Sequence, residues 1–371
     1  MRLIGFSLSV ILLAAQFSAR SACAADADIA DVVQKLSTLK VEGLYYIAYQ
    51  NGKTNTGASY NGFVINRGYT TFKKKLTPQI DSRITLDLTQ DETGDIKVRA
   101  KYVYALYKLG DIGPLTRPEI EFGLVHTPWL DYEEHLNYYR MQGTMFMERL
   151  GIFNSADFGV TLASLLGGEV DADYQKMVSN KYPGRYGSIA LGVYNGGGYH
   201  AMESNLNKVT QGRLTIRPVP DVASGLQASY FGIFGRGNRP DGAPNTDWQT
   251  NALLVSYEHE KFVVDGQYIT GHGNQKGTWA VEPLQADSVD YAGYSVFGEY
   301  KPGGHWRLMI RMDSFDPNTD VDSDVETRWI AGVGYDFGHS NILLLDYDTL
   351  SSRKPGVRDA SAVKLTMQVS Y

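Results

Sequence analysis

The last ten residues, Ala362 to Tyr371, alternate without a break. Val363, Leu365, Met367, Val369 and Tyr371 share one parity, and Lys364, Thr366, Gln368 and Ser370 share the other. A β-strand turns successive side chains to opposite faces, so this segment has one apolar and one polar face. A strand left with an open edge invites aggregation. The expectation is therefore that the last strand pairs with the first and closes a barrel.

The same alternation recurs upstream. Leu214 and Ile216 oppose Arg213, Thr215 and Arg217; Leu308, Ile310 and Met312 oppose Arg307, Arg311 and Asp313. Trp329, Ala331, Val333, Tyr335 and Phe337 oppose Arg328 and Asp336, and Leu343, Leu345 and Tyr347 oppose Asp346 and Asp348. From Lys40 onward about sixteen strands can be read, an even number as closed bacterial barrels require. Residues 63–75 carry apolar side chains on both registers and give no clear facing. A mean hydropathy of −0.27 reads as soluble, but a barrel hides its apolar residues at every second position. The 25 Tyr and 39 Gly suit strands and tight turns.

The start adds a compartment. Met1-Arg2, an apolar run from Leu3 to Ala15 and the small residues around Ala25 read as a secretory signal peptide over 1–25. Cys23 raises lipoprotein processing, but Arg20 stands where an aliphatic residue is usual. Ile29, Val32, Val33, Leu36 and Leu39 then follow helical spacing, which predicts a short periplasmic helix over 26–39 rather than a coiled coil. No stretch reaches 18 consecutive apolar residues. Only a closed barrel is left to span a membrane, and 40–371 is assigned to it. Connections alternate short (76–79, 259–261, 302–304, 338–340) and long (235–247, 272–288, 352–359), which is the outer-membrane pattern. The long stretch 167–185 breaks it, since it falls where a short turn is expected. The net charge of −6 leaves no nucleic-acid footprint.

One connection is unlike the others. "LDYEEHLNYYRMQGTMFMERLGIFNSA" lies between "EIEFGLVHTPW" and "DFGVTLASLL". Gly123, Pro128, Met147, Glu148, Arg149, Asp157, Gly159 and Val160, with the later "GSIALGVYNGGG" and "GRLTIRPVP", resemble the phosphate-selective porin O and P family in motif and order. The resemblance implies an all-β fold: a transmembrane antiparallel barrel of sixteen strands in the bacterial outer membrane. It implies a homotrimer whose third extracellular loop folds inward, with residues 128–156 as the constriction, and a passive path for small hydrophilic solutes or ions. Asp131, Glu133, Glu134, Arg140, Glu148 and Arg149 would sit at the narrowest point. Arg213, Arg217, Arg307, Arg311, Arg328, Asp346 and Lys364 would line the pore. The inward set, which also holds Arg83, Arg99, Lys101, Asp81, Asp87, Glu119, Glu121, Asp265 and Asp313, is mixed in sign. Mixed signs suit a transverse field rather than an arginine ladder, so phosphate selectivity does not carry over.

No chemistry of an enzyme stands out. His126, His135, His200, His259, His272, His305 and His339 are scattered with no metal-ligand spacing, and no G-x-S-x-G occurs. No metal or cofactor is expected. Lys73–Lys75 reads as a solvated turn flank. Tyr45, Tyr46, Tyr102, Tyr104, Trp306, Trp329 and Tyr371 are expected in the interfacial girdles. Tyr138, Tyr139, Phe146 and Phe153 are expected to pack the loop on the wall, with a sugar-stacking track as the alternative. Alternatives to a channel are a sheath or adhesin barrel whose lumen or surface fits a partner, an outer-membrane hydrolase and, more distantly, a soluble all-β binding protein.

Overall fold

The computed structural model describes residues 37–91, 93–240, 247–279, 288–321, 324–354 and 356–371. The expected signal peptide and the expected helix up to residue 36 lie outside these. Leu39, the last residue of that expected helix, opens the first strand instead.

The first five strands are β1 (Leu39–Lys53), β2 (Ser59–Lys75), β3 (Ile80–Gln90), β4 (Ile96–Lys108) and β5 (Leu115–His126). A long connection carries α1 (Leu130–Leu136), a 3₁₀ turn (Arg140–Gln142) and α2 (Phe146–Arg149). Then come β6 (Ala156–Leu166), α3 (Ala172–Met177), β7 (Gly187–Tyr194), β8 (Val209–Ile216), β9 (Leu226–Arg236) and β10 (Asp247–His259). The chain ends with β11 (Phe262–His272), β12 (Asp290–Gly303), β13 (Trp306–Asp316), β14 (Glu326–Gly338), β15 (Asn341–Ser352) and β16 (Ala360–Ser370). Each strand pairs with its neighbours in sequence, and β1 pairs with β16, so the sheet is a closed barrel of sixteen strands.

Closure runs from Leu44↔Ser370 to Lys53↔Ser361, antiparallel. Tyr371 extends it: its N–H donates to Gly43 O at 3.1 Å and its carbonyl accepts from Gly43 N–H at 3.0 Å. The Tyr371 ring lies where a side chain at 43 would be, 2.3 Å from an ideal Cβ, so a larger residue there would make the ring swing aside. The closed ring leaves no free edge between first and last strands.

The outer face is apolar. Leu253, Val255, Tyr268, Val296, Ile310, Val333, Leu345 and Tyr347 are all exposed on it. A closed barrel with such a face satisfies its backbone internally and presents hydrocarbon outward, which makes it an outer-membrane structure. Tyr45, Trp306, Trp329 and Tyr371 stand on that face, whereas Tyr46 and Tyr102 are buried on the inner side. For Tyr46, Tyr102 and Tyr104 the girdle expectation is corrected, and for the last two the cause is local. Thr85 pairs with Tyr102 but Leu86 with Ala100, so Lys101 is an extra residue that flips the register. Residues 63–75 hold a comparable slip. Phe63 is 83% exposed and Ile65 also points out, yet Tyr69 and Thr71, of the same parity, are buried inside.

Connections at one end are short, and His339 and Ser340, at φ 53° and 61°, form a two-residue left-handed hairpin turn. The segment 167–186 between β6 and β7 sits at this short-turn end and is long, as the sequence had it. The β5–β6 connection, 127–155, is the third on the loop end.

Candidate pore constriction

The third loop leaves and re-enters the wall at one point. Thr127 N–H donates to Ser155 O at 3.1 Å, and its hydroxyl donates to Asn154 O at 3.0 Å. Between these ends the loop turns into the lumen. Trp129, Tyr132, Leu136, Phe146, Met147, Ile152 and Phe153 are buried against Phe231, Ile233, Trp248, Ala252, Leu254, Ile269, Tyr291 and Phe315 of β9–β13. Each such side chain contributes about 1.5–3 kcal/mol when fully buried. Of the four aromatics expected to pack the loop on the wall, Tyr139, Phe146 and Phe153 are packed away and Tyr138 is half-buried.

Polar anchors follow the same arc of wall. Arg213 Nε donates to Pro128 O at 2.9 Å, and Gln267 Nε2 donates to Glu133 Oε1 at 2.6 Å. The Tyr139 hydroxyl donates to Glu299 at 2.5 Å, and Arg311 Nη1 donates to Thr144 O at 3.1 Å. Arg149 meets Asp313 at 3.3 Å, and Lys364 Nζ donates to Gln142 O at 2.6 Å.

Inside the loop, Arg140 donates to both oxygens of Glu148, at 2.5 and 2.7 Å, and meets Glu134 at 2.9 Å. Arg67 of β2 is 4.0 Å from Glu148. Burial raises the Glu148 carboxyl, but Arg140, its hydrogen bonds, Arg67 and Lys101 outweigh that and hold it at about 2. Burial pushes the Glu134 carboxyl up, opposed by Arg140 and Lys101. Arg149 is brought down to about 9 by burial and by Arg311.

A cavity of about 280 Å³ remains between this loop and β1–β5. The wall supplies Tyr46, Tyr69, Arg83, Lys101, Tyr102 and His126; the loop supplies Asp131, Glu134 and Arg140. Lys101 Nζ lies 4.6 Å from the Tyr69 ring centre and donates to its hydroxyl at 3.2 Å. Arg83 lies 4.7 Å over the Tyr102 ring and 3.2 Å from His126 Nε2. Among the described residues neither cation has a carboxylate within 4.0 Å. Arg83 and Lys101 on the wall thus face Asp131, Glu134 and Arg140 on the loop, so charge of both signs borders the cavity.

The expected site residues divide. Asp131 and Glu134 border the cavity, and Asp131 accepts from the Tyr182 hydroxyl at 2.7 Å. Glu133 does not border it. It is 4% exposed, between the Trp129 indole at 2.9 Å and Gln267, and burial pushes its carboxyl up. Arg140, Glu148 and Arg149 are structural ties. Of the expected lining residues, Arg213, Arg217, Arg311, Asp346 and Lys364 point inward but are buried under the loop and the 167–186 segment. They hold carbonyls and partners, Lys364 meeting Asp346 and Asp348 at 3.0 Å each, and Arg213 also borders a cavity at the turn end. Arg307 pairs with Asp336 at 2.7 Å and Arg328 with Asp348 at 3.2 Å, both half-buried. Tyr46, Tyr69 and Tyr102 on the cavity wall were not foreseen. The signal for Tyr102 was there: the outward row Ile96, Val98, Ala100 resumes at Val103, three residues on. Among the described residues no three His, Cys, Asp or Glu gather as metal ligands.

Solved structures share this architecture. The anion-selective porin of Comamonas acidovorans superposes with a TM-score of 0.60 at 11% identity, covering 90% of this chain and 99% of that one. The fold is that of a porin. The outer-membrane channel DcaP of Acinetobacter baumannii gives 0.59 at 11%, covering 90% and 97%. The trimer form of OmpT, an outer membrane protein of Vibrio cholerae, gives 0.55 at 12%, covering 90% and 100%. By sequence, no family model and no curated protein matches the chain.

Proposed function

We propose that this barrel is a passive channel for small hydrophilic solutes or ions, with residues 127–155 as its constriction. The observation that carries the reading is the third loop, packed on β8–β16 and leaving one polar cavity along β1–β5. The loop fills the half of the lumen it lies on, and charge of both signs borders what is left. A solute passing there exchanges its hydration for fixed groups at short range, where the effective dielectric is low. Arg83 and Lys101 draw negative groups to one side, and Asp131 and Glu134 draw positive groups to the other. Dipolar solutes are oriented rather than one sign of ion excluded. The kinship in segment order with the phosphate-selective porin O and P family is kept as part of this proposal, without phosphate selectivity.

A homotrimer in outer-membrane lipid is the assembly proposed, as the Vibrio protein is described in a trimer form. A sheath or partner-binding barrel fits less well, because the loop occupies the lumen such a partner would need. A hydrolase finds no support in paired nucleophile and base. Single-channel conductance in planar bilayers, with reversal potentials in a salt gradient, tests the reading. Channels whose conductance rises on shortening 128–156 are expected; purified barrels that insert without conducting overturn it.

A further inference from the structure

The β6–β7 connection is the turn-end segment whose length needs a reason. It spans 167–186, while the other turn-end connections run from two residues (260–261) to nine (217–225). Its base is closed by the Glu169–Gly184 bridge and by Val170 N–H to Pro183 O at 2.8 Å. Asp171 caps α3 by accepting from Tyr174 N–H at 2.7 Å.

Its returning limb, next to the base, meets the third loop. The Tyr182 hydroxyl donates to Asp131 at 2.7 Å, and its ring centre lies 5.1 Å from Tyr132 and 4.9 Å from His135. Tyr182 is held at φ 46°, a conformation that non-glycine residues seldom adopt. Two inward arginines of the β8 line grip the segment. Arg217, 1% exposed, donates Nε to Gly184 O at 3.2 Å and lies 5.2 Å from the Tyr174 ring. Arg213 lies 5.0 Å from the Tyr182 ring and 4.3 Å from the Tyr132 ring. Among the described residues neither arginine has a carboxylate within 4.0 Å. Buried guanidinium without a counter-ion is costly, so carbonyls and tyrosine faces are what offset it. Those partners come from the third loop and from this segment.

Tyr182 and Asp131 also stand between two spaces. Tyr182 borders a cavity of about 440 Å³ with Lys108, Arg117, Glu119, Ser188 and Arg213. Asp131 borders the cavity of about 280 Å³ beside β1–β5.

We infer that residues 167–186 are a second constriction, inserted from the turn end, and that Tyr182 latches it to the third loop through Asp131. The segment shuts the lumen on the β5–β8 side and confines solute to the β1–β4 side. This rests on the channel reading above. Two variants of the full chain test it: Tyr182→Ala, and replacement of 170–183 by Asn-Gly, a two-residue turn that joins paired strands. Conductance is expected to rise roughly two- to three-fold in the replacement, as the two spaces join, and by less in Tyr182→Ala. Tyr182→Phe keeps the rings and loses the hydroxyl; its mean conductance stays near the parent value while brief current fluctuations become more frequent. Heat-modifiable mobility on gels identifies folded barrels, and if the replacement does not fold the two point variants decide. A conducting parent whose folded variants show the same conductance and noise overturns the inference and leaves the channel reading standing. A silent parent with a conducting replacement overturns the channel reading for the intact chain and leaves 167–186 as a full plug. Silence in every folded form overturns both.

Discussion

Glu148→Gln removes the carboxylate that Arg140 grips with both nitrogens. The Arg140 side chain is 4% exposed, so its charge cannot turn to water and keeps only Glu134 at 2.9 Å. Removing one partner of a buried pair costs about 3–5 kcal/mol. A second route gives the same size. The Glu148 carboxyl sits at about 2 against an ordinary 4.5, and at 1.36 kcal/mol per unit this is about 3 kcal/mol. A depressed carboxyl stabilises the fold fully above its unfolded value, and that contribution fades as pH falls from 4.5 towards 2. Glu134, pushed up by burial, acts in the opposite sense but is common to both proteins. The assay is the temperature at which the compact barrel converts to its slow, unfolded gel form, measured from pH 7 to pH 2. The variant is expected to convert at lower temperature at pH 7, with the gap to the parent closing between pH 4.5 and pH 2. No gap at pH 7, or a gap that persists unchanged to pH 2, refutes the claim that this pair ties the loop.

The other expectations concern field and closure. Asp131→Asn with Glu134→Gln moves the reversal potential towards anion preference, while Glu133→Gln, buried at the wall, leaves it in place. Arg83→Gln with Lys101→Gln moves it towards cations, because these two cations have no carboxylate ties to keep them from the solute. Tyr371→Asp lowers the yield of heat-modifiable barrel in the outer membrane; Ser370→Ala does not.

Strand count, order and facing were legible in β8–β16, because there one parity is apolar without interruption. They blurred in β2 and β4, where one extra residue changes the facing of everything after it. Lys101 shows why: Arg99 and Lys101 keep step, then Tyr102 and Tyr104 take the inner face, and aromatic identity alone suggested a girdle. The third loop was legible as a segment, from its length and from a motif resemblance, to within one residue at each end. Its individual charges were not. Whether an acidic side chain meets water or a wall depends on which turn of a short helix it occupies, and Asp131, Glu133 and Glu134 are too close in sequence for spacing to separate them. Arg213 and Arg217 stand on the inner parity and are buried. That they are covered depends on 167–186, whose path no local pattern records.

The inner wall itself carries a signal that alternation obscures. A strand of a water-filled barrel should be polar on its inner parity. β3 and β4 obey this with Arg83, Thr85, Asp87, Arg99 and Lys101. β9 to β13 mix it: Phe231 and Ile233, then Trp248, Ala252 and Leu254, then Ile269, Tyr291 and Phe315 point inward and are buried, beside Gln267, Glu299, Arg311 and Asp313, which tie the loop. Apolar groups aimed at water lose the stabilisation that burial gives, about 25 cal/mol per Å². A run of them on the inner parity therefore marks where the lumen is dry. Successive strands are spatial neighbours in this barrel, so a dry stretch of sequence becomes a dry sector of wall. One sector needs one cover, and the third loop supplies it from one end of the barrel while the β6–β7 segment meets its edge from the other. The wet sector is then left as a narrow space, because its opposite bank is protein, and charged groups stand on both banks.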